Sequence, residues 1–354
     1  MFKDFYRGKT VLVTGHTGFK GSWLSIWLES MGANVIGFSL DPSTENDNFL
    51  LSGIGKKIVD IRGDIRSRDS VNNVFETYKP EIVFHLAAQP LVRLSYEIPL
   101  ETYEVNLIGS LNILEAVRKT SSVKVCVMIT TDKCYENKEQ LWGYRECDPM
   151  GGYDPYSSSK GAAEIAISSW RRSFFNPNNI ETHSTSIISV RAGNVIGGGD
   201  WALDRIVPDC IRSIESNKPI EIRSPYSIRP WQHVLEPLSG YLKVAMMAYN
   251  NPGEYSESWN FGPNMDSVIN VWDIASLIIQ NYGKGELIDV SDPNNPHEAS
   301  LLILDISKAN YKLGWKPKLD IESTIKMTVD WYKQYKYRNV YEICIEQINN
   351  YELI

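Results

Sequence analysis

A glycine-rich turn between an apolar strand and an apolar helix constrains the fold of this chain more than any other segment. Its glycines recur at three-residue spacing, as Gly15, Gly18 and Gly21, after the run 10–14 and before the helically periodic run 22–28. We expect Gly15 to make the tight turn, Gly18 to let backbone approach a pyrophosphate, and Gly21 to let the helix pack closely on the strand. The pattern predicts a dinucleotide-binding turn, with an ordinary glycine-rich turn as the alternative.

The other residues of this turn are His16, Phe19 and Lys20. We assign His16 and Phe19 to the same cofactor site. His16 and Lys20 could place positive charge beside a pyrophosphate. Lys20 could also lie in solvent on the first helical turn, and we favour that position for it.

The adenosine half of a dinucleotide is expected at the ends of the second and third strands. Ser39 lies at the end of the apolar run 33–40 and Asp41 follows, so either could contact the ribose. No arginine is adjacent in sequence to receive a 2′-phosphate, which favours NAD over NADP. After the third strand, Asp64 could bond the adenine amino group or cap the following helix, and we assign Ile65 to the cofactor site with it.

A fourth strand over 82–88 is expected to carry the nicotinamide half of the cofactor against its backbone. The residues assigned to the cofactor here are Leu86, Ala87 and Ala88, two of which are small. Gln89, directly after them, is assigned to the substrate. His85, within the strand, is predicted to be a packed core residue rather than a ligand.

The fifth strand ends at the polar group Thr131, Asp132 and Lys133, where the ligand crevice of an open parallel sheet lies. Tyr156 and Lys160 are four residues apart, so on a helix they share one face. The ammonium is then expected to lower the pKa of the phenol, which could take a proton from a hydroxyl group. These residues predict redox chemistry on an alcohol, the alternative being a helix-face pair without chemistry.

The fold class that follows is α/β, a Rossmann-type doubly wound parallel sheet with a smaller mixed α/β substrate-binding domain. We place an NAD-binding domain at 1–191, with short later returns near 229–262, and a mainly nucleotide-sugar-binding domain at 192–354. The chain's 354 residues suit about two domains.

Composition limits the classes of function. A hydrophobic content of 43% and a charged content of 22% are typical of a soluble globular protein, and the net charge of −7 argues against nucleic acid as a partner. No apolar run is long enough to span a bilayer, and the first nine residues are too polar for a signal peptide. The five cysteines lack metal-site spacing, so we expect no metal and a reducing cytoplasm.

The order and spacing of these motifs resemble the extended short-chain dehydrogenase/reductase family over nearly the whole chain, within its nucleotide-sugar 4,6-dehydratase branch. The strings 14–24 and 131–135 are similar to those of members that act on CDP-glucose. The resemblance implies a hydro-lyase that uses NAD to oxidise C4, eliminate water across C5 and C6, and reduce C6. It also implies a step in deoxysugar biosynthesis, with lipopolysaccharide O-antigen as its destination.

The resemblance also implies residue roles. Tyr156, as a phenolate held by Lys160, would take the C4 hydroxyl proton, and Thr131 would hydrogen-bond the same oxygen. Asp132 would be the acid, for which burial must raise its pKa, and Lys133 the base, where dTDP-glucose relatives have glutamate. Lys133 could instead only orient or pair with Asp132, and Asp132 could be a turn residue.

For the substrate, the resemblance implies that Asn194 contacts the diphosphate and that the segment containing His297 closes over the nucleotide. Guanidinium groups suit a diphosphate, so Arg229 is the first candidate and Arg205 the second, with surface salt bridges as the alternative. By analogy we expect a homodimer, or a tetramer, built from the helices through Leu111 and Tyr156. A nucleotide-sugar 4-epimerase and a non-catalytic dinucleotide-sensing protein remain as alternative functions.

Overall fold

The glycine turn folds as its spacing predicts. In a computed structural model that describes residues 2–291 and 301–354, Gly15 has a φ of 74°, in the region that favours glycine. A Cβ atom on Gly15 would lie 2.7 Å from the backbone N of Ala87, and one on Gly21 would lie 2.0 Å from the carbonyl oxygen of Gly15. The tight turn at Gly15 and the close helix packing at Gly21 are therefore confirmed.

Regular elements alternate between strands and helices through the first half of the chain. The strands are β1 (Thr10–Thr14), β2 (Asn34–Ser39), β3 (Val59–Arg62), β4 (Ile82–His85), β5 (Val125–Ile129), β6 (Ser186–Ala192), β7 (Asn194–Ile196), β8 (Ile220–Ile222), β9 (Ile228–His233), β10 (Ser258–Phe261), β11 (Val268–Asn270) and β12 (Leu287–Asp289). The helices are α1 (Lys3–Tyr6), α2 (Phe19–Ser30), α3 (Asn48–Ser52), α4 (Arg68–Tyr78), α5 (Val92–Glu97), α6 (Pro99–Tyr103), α7 (Ser110–Lys119), α8 (Pro155–Ser173), α9 (Ile180–His183), α10 (Ile206–Glu215), α11 (Leu235–Asn250), α12 (Val271–Tyr282), α13 (Ile321–Gln334) and α14 (Val340–Leu353).

A parallel sheet of seven strands organises the fold, in the order β10-β6-β5-β4-β1-β2-β3. The order reverses between β1 and β4, and a crevice outside the carboxyl ends of the strands lies at such a reversal. The expected α/β class is thus confirmed. The strand predicted over 82–88 ends earlier, at His85.

Both faces of this sheet are covered, as parallel sheets require. Along β1, Val11 and Val13 belong to one hydrophobic core and Leu12 belongs to the other. The first core also contains the buried tryptophans Trp23 and Trp27 of α2. Alternate residues of one strand therefore anchor helices on opposite sides of the sheet.

The second half of the chain adds two small sheets, β11-β9-β7 and β12-β8, and returns one strand, β10, to the large sheet beside β6. The division into two domains near residue 191 stays a prediction. Among residues 2–291 and 301–354, no helix has both the length and the apolar character needed to cross a membrane. The same residues contain no cluster of histidine, cysteine and acidic side chains that could hold a metal ion.

Candidate active site

Tyr156 and Lys160 lie in the first turns of α8, as the sequence predicted. The carboxylate of Asp154 caps this helix, accepting hydrogen bonds from the Ser157 backbone N at 2.9 Å and from its hydroxyl at 2.6 Å. Pro155 occupies the first helical position, where its missing N–H has no cost. Tyr156 is 8% exposed and Lys160 5% exposed, so both functional groups sit in a largely dehydrated pocket.

The pKa of Tyr156 differs from the sequence expectation. Burial raises the pKa of Tyr156 to about 12, while a hydrogen bond with Thr131 and the charge of Arg205 work in the opposite direction. The negative charge of Asp132 adds to the rise. The expected net lowering of the phenol pKa is therefore wrong, because removal from water outweighs the lowering by Thr131 and Arg205.

The pKa values of two lysines near Tyr156 are lowered. Burial, together with the charge of Lys20, lowers the pKa of Lys160 to about 8. Burial, followed by the charge of Arg205, likewise lowers the pKa of Lys20 to about 8. Lys20 lines the cavity that contains Asp132 and Tyr156, so the solvent-exposed position favoured for it from sequence is wrong.

The residues after β5 form a short 3₁₀ turn over Asp132–Cys134 at the carboxyl end of the sheet. The hydroxyl of Thr131 donates to Oδ1 of Asp132 at 2.8 Å and accepts from the backbone N of Lys133 at 3.4 Å. Asp132 is 3% exposed, and burial raises its pKa despite the opposing charges of Lys133 and Arg229. The raised pKa that an acid at this position needs is thereby confirmed.

One cavity of about 330 Å³ brings most of the predicted catalytic and substrate residues together. The predicted residues that line it are Thr131, Asp132, Lys133, Tyr156, Asn194, Arg205, Arg229 and Phe19. They come from the turn after β5, the first turns of α2 and α8, the residue before α10, and strands β7 and β9. Their common position follows from the sheet, because parallel strands end at the same edge.

Two of the predicted substrate residues that line the cavity are arginines. Arg205 precedes α10 and donates to Oδ2 of Asp200 at 2.8 Å, and Asp200 is only 5% exposed. Arg229 donates to the carbonyl oxygen of Ile228 at 2.8 Å and lines the same cavity. Their contact with a diphosphate stays a prediction, and His297 lies outside the described residues.

The glycine turn fits the pyrophosphate of a dinucleotide. Gly18 is the N-cap of α2 in extended conformation, and no side chain caps the helix. Within 4 Å, a Cβ atom on Gly18 would meet only the carbonyl oxygen of Gly15, at 3.4 Å. The first N–H groups of α2 have no partner within the helix, so they and the helix dipole form a site for an anion beside Gly18.

His16 does not supply charge to that anion site. Its side chain is buried against Gly37, on which a Cβ atom would lie 2.3 Å from Cδ2 of the imidazole. Its Nε2 lies 2.8 Å from Oδ1 of Asp60, yet burial still lowers the pKa of the imidazole. The expectation that His16 carries charge beside the pyrophosphate is therefore wrong.

An arginine that is distant in sequence lies beside the end of β2 in the structure. Register pairs Ser39 with Arg62 of β3, and Arg62 lies 3.7 Å from the carboxylate of Asp41 and donates to Oδ2 of Asp60 at 2.8 Å. The hydroxyl groups of Ser39 and Thr17 are hydrogen-bonded to each other at 2.9 Å. The statement that no arginine lies beside this strand end is wrong, so the choice of NAD does not follow from it.

Asp64 is not a helix cap. Both of its carboxylate oxygens accept hydrogen bonds from Arg66, at 2.7 to 2.8 Å, and Ser67 caps α4 instead. Although partial burial opposes ionisation, these bonds hold the pKa of Asp64 below its usual value. Ile65 is 4% exposed and packs against Gly109, so its side chain is a core residue; a cofactor contact from its backbone stays a prediction.

The segment after β4 lies against the glycine turn, where the nicotinamide half was expected. Leu86 and Ala87 donate through their backbone N to Thr14, at 3.1 and 3.3 Å, and Ala88 continues the same half-buried segment. The contacts of these residues with a cofactor stay predictions.

Two side chains beside this segment are satisfied inside the protein. His85 is the predicted core residue: its ring nitrogens lie 2.7 Å from the Thr14 hydroxyl and 3.1 Å from the Ser110 hydroxyl, and burial lowers its pKa to about 3. Gln89 donates to Thr102 at 3.0 Å and accepts from Leu91 at 2.5 Å. Its amide is committed to the local turn, and its role toward substrate stays a prediction.

Three residues near this site were missed or misjudged from the sequence. Lys20 and Asp200 line the cavity, and Glu164 lies one turn after Lys160 on α8. A signal existed for Lys20, because the first turn of α2 faces the expected anion site. Glu164 has its buried partner on a strand distant in sequence, and such a partner leaves no local sequence signal.

The sheet order, the glycine turn and the Tyr156–Lys160 pair define an extended short-chain dehydrogenase/reductase. A model of the family described as GDP-mannose 4,6 dehydratase matches residues 12–328, and the chain belongs to this family. Its curated relatives include CDP-glucose 4,6-dehydratase of Salmonella typhimurium, 53% identical, with 94% of this chain and 92% of the relative covered.

Solved structures agree on the fold. That of dTDP-glucose 4,6-dehydratase from Bacillus anthracis in complex with NAD is similar, with a TM-score of 0.75, 22% identity and coverage of 95% of this chain and 100% of the other. UDP-glucose 4-epimerase from Thermotoga maritima also gives a TM-score of 0.75, with 24% identity and coverage of 92% and 99%. Equal scores for a dehydratase and an epimerase mean that fold alone does not separate the two reactions.

Proposed function

We propose that this chain is an NAD-dependent hydro-lyase that converts CDP-D-glucose to CDP-4-keto-6-deoxy-D-glucose. The observation that carries the proposal is the group Thr131, Asp132, Lys133 and Tyr156 on one cavity, in a chain 53% identical to a protein named CDP-glucose 4,6-dehydratase. An acid and a second base beside the tyrosine are what an elimination needs in addition to an oxidation.

The chemistry that bound NAD would supply is redox: it would accept hydride from C4 of the sugar and give it back at C6. The glycine turn and the N-terminus of α2 would hold its pyrophosphate. Tyr156, in its ionised form, takes the proton from the C4 hydroxyl, and Thr131 hydrogen-bonds the same oxygen. Protonated Lys160 stabilises the phenolate. Because the pKa of Lys160 is about 8, this lysine carries its proton near neutral pH.

The elimination step uses the turn after β5. The C4 ketone acidifies the C5 hydrogen, which Lys133 removes as a proton, and Asp132 donates a proton to the departing C6 hydroxyl, so that water leaves. When hydride is returned to C6, Lys133 returns the proton to C5. The raised pKa of the buried Asp132 favours the protonated carboxyl that this step requires. Arg229, Arg205 and Asn194 hold the diphosphate at the other side of the cavity.

A nucleotide-sugar 4-epimerase is the competing reaction on this fold. An epimerase needs Tyr156, Lys160 and Thr131, but it has no use for an acid and a base at C6 and C5. Replacement of Asp132 by Asn and Lys133 by Met therefore separates the two reactions.

The test is mass spectrometry of sugar nucleotides after incubation of purified protein with NAD and, in parallel, CDP-, dTDP-, UDP- and GDP-glucose. We expect CDP-glucose alone to lose one water. An unchanged mass with altered stereochemistry would instead identify an epimerase, and no conversion of any donor would identify a binding protein. Lys133→Met is compared with Lys138→Met, which removes an exposed lysine from the following loop; only the first should abolish the loss of water.

The enzyme is also proposed to be a homodimer through α6, α7 and α8, with a tetramer as the alternative. Apolar side chains are exposed on α6, on α8 and in the segment 104–109 that joins α6 to α7: Leu100 at 80%, Ile165 at 60% and Ile108 at 47%. The hydroxyl of Tyr103 donates to that of Ser158 at 2.8 Å and holds α6 on α8. Large exposed apolar side chains grouped on neighbouring helices suit an interface between two copies.

We place the product in deoxysugar biosynthesis for lipopolysaccharide O-antigen and the enzyme in the cytoplasm. The five free cysteines fit a reducing compartment. Disruption of the gene, followed by sugar analysis of the lipopolysaccharide, tests the destination; an unchanged deoxysugar content would exclude it.

A further inference from the structure

A buried ion pair lies behind the catalytic helix and has no part in the proposed chemistry. Glu164 of α8 and Arg191 of β6 have side chains only 2% and 3% exposed. Arg191 donates from Nε and Nη2 to the two carboxylate oxygens of Glu164, at 2.9 and 2.8 Å. Although burial works to raise it, Arg191 lowers the pKa of Glu164 to about 2, so the pair is ionised at neutral pH.

Glu164 holds the residue that precedes the catalytic turn. The hydroxyl of Thr130 donates to Oε1 of Glu164 at 2.6 Å, and the backbone N of Thr130 donates to the carbonyl oxygen of Val190 at 2.8 Å. The hydroxyl of Ser189 donates to the other carboxylate oxygen at 2.9 Å. These hydrogen bonds join α8 to β6 and to Thr130, the residue after β5.

Arg191 holds the residue that follows the catalytic turn. Its Nη1 donates to the hydroxyl of Tyr135 at 2.6 Å, and that hydroxyl donates to Oδ1 of Asn260 at 2.8 Å. The guanidinium also lies 4.9 Å from the centre of the Tyr135 ring. The ion pair is therefore hydrogen-bonded to the residues on both sides of the segment 131–134, to Thr130 before it and to Tyr135 after it.

We propose that Glu164 and Arg191 are positioning residues, which set Thr131, Asp132 and Lys133 against the tyrosine and lysine on α8. Glu164 is on the same helix as Lys160, one turn later, so the pair fixes the distance between the two halves of the catalytic group. Neither residue lines the catalytic cavity. The kinetic part of this inference rests on the proposed function.

The test compares Thr130→Val with Thr130→Ser. Valine keeps the shape of threonine and removes the hydroxyl that Glu164 accepts, whereas serine keeps the hydroxyl and removes a methyl group. We expect T130V to lower kcat roughly tenfold to a hundredfold without changing KM for CDP-glucose, because misplaced catalytic groups affect the reaction more than binding. T130S should remain close to wild type. The reverse ranking would show that Thr130 acts only by packing and would overturn the proposal.

Tyr135→Phe extends the test to the other end of the turn, and Glu236→Gln is the matched control. Glu236 is 1% exposed and accepts hydrogen bonds from the backbone N of Lys318 and Leu319, away from the catalytic cavity. We expect Y135F to lower kcat, and E236Q to affect thermal stability only. If E236Q lowered kcat as much as Y135F does, the fall would reflect general destabilisation, and the positioning role of Glu164 and Arg191 would be refuted. Glu164→Gln leaves Arg191 without a buried counter-ion and is expected to fold poorly, so it does not carry the test.

Hydrogen exchange gives a readout that does not depend on turnover. The backbone N of Cys134 and Tyr135 donate within the turn, to Thr131 and Asp132, at 3.4 and 3.3 Å. We expect faster exchange in the peptide over 131–135 for T130V and Y135F, but not for T130S or E236Q. Unchanged exchange in all four variants would overturn the positioning role. If wild type converts no sugar nucleotide, the proposed function fails. The hydrogen-exchange comparison still tests whether Glu164 and Arg191 position the turn.

Discussion

A Cβ atom on Gly193 would lie 2.8 Å from Oδ2 of Asp132. The glycine after β6 thus leaves the space in which the proposed acid sits. Gly193 has no positive φ, so its backbone accepts alanine without strain. The carboxylate is the end of a side chain and can shift, so an added methyl group is expected to move the acid rather than unfold the protein.

Gly193→Ala should therefore lower kcat for dehydration roughly tenfold to a hundredfold, with little change in Tm. The C4 oxidation does not use Asp132, so the 4-keto-glucose intermediate should accumulate in a chemical quench. Asp132→Asn provides the control: if Gly193 acts through Asp132, the double variant is no slower than D132N alone. If the losses of kcat in G193A and D132N were additive in the double variant, Gly193 would act independently of Asp132, contrary to the prediction.

Tyr156→Phe should lower kcat by about two to four orders of magnitude, because it removes the base for the C4 hydroxyl. With the pKa of Tyr156 raised to about 12 by burial, the ionised fraction increases as pH increases through neutral and alkaline values. We expect the rate of C4 oxidation by wild type to rise with pH up to about 8, above which Lys160 loses the charge that stabilises the phenolate, and the residual rate of Y156F to lack this rise. Stopped-flow measurement of nicotinamide reduction checks it, and a flat wild-type profile would count against Tyr156 as the base.

Lys160→Met should increase stability while it abolishes activity. The pKa of Lys160 is about 8 in the folded chain, against an ordinary value of 10.5. Above pH 10.5, Lys160 is neutral in both the folded and the unfolded chain, so its burial does not lower stability. As the pH falls toward 8, only the unfolded chain gains the proton, and wild type loses stability. The gain in the free energy of unfolding of K160M is then up to about 3 kcal/mol below pH 8, because a tenfold difference in proton affinity between the two states corresponds to about 1.4 kcal/mol.

Thermal unfolding of wild type and K160M at about pH 7 and about pH 10 measures this difference. The advantage of the variant should be complete at the lower pH and should shrink at the higher one. An advantage that grows with pH would mean that burial does not depress the pKa of Lys160.

Ile165→Glu should convert the proposed dimer to a monomer, because it places a charge on the exposed apolar face of α8. Light scattering after size-exclusion chromatography gives the mass. Leu353→Glu, at a residue 86% exposed near the carboxyl end, is the matched control and should leave the mass unchanged. A dimer that survives I165E would place the interface elsewhere.

Local sequence determined the features that depend on a few neighbouring residues. Gly15 and Gly21 predicted the turn because no side chain fits where the backbones meet. The spacing of Tyr156 and Lys160 predicted a shared helix face, and the polar residues after the fifth strand predicted the edge of the sheet where the cavity lies.

Only the tertiary structure decided which way a side chain points and what it meets across the sheet. Strand register brings Arg62 beside Ser39, and burial turns His16 away from the anion site and Lys20 into the cavity. The pairing of Glu164 with Arg191 joins residues 27 positions apart. Such contacts, and the changes in pKa that burial causes, depend on how distant segments pack, and the sequence of either segment alone does not contain that information.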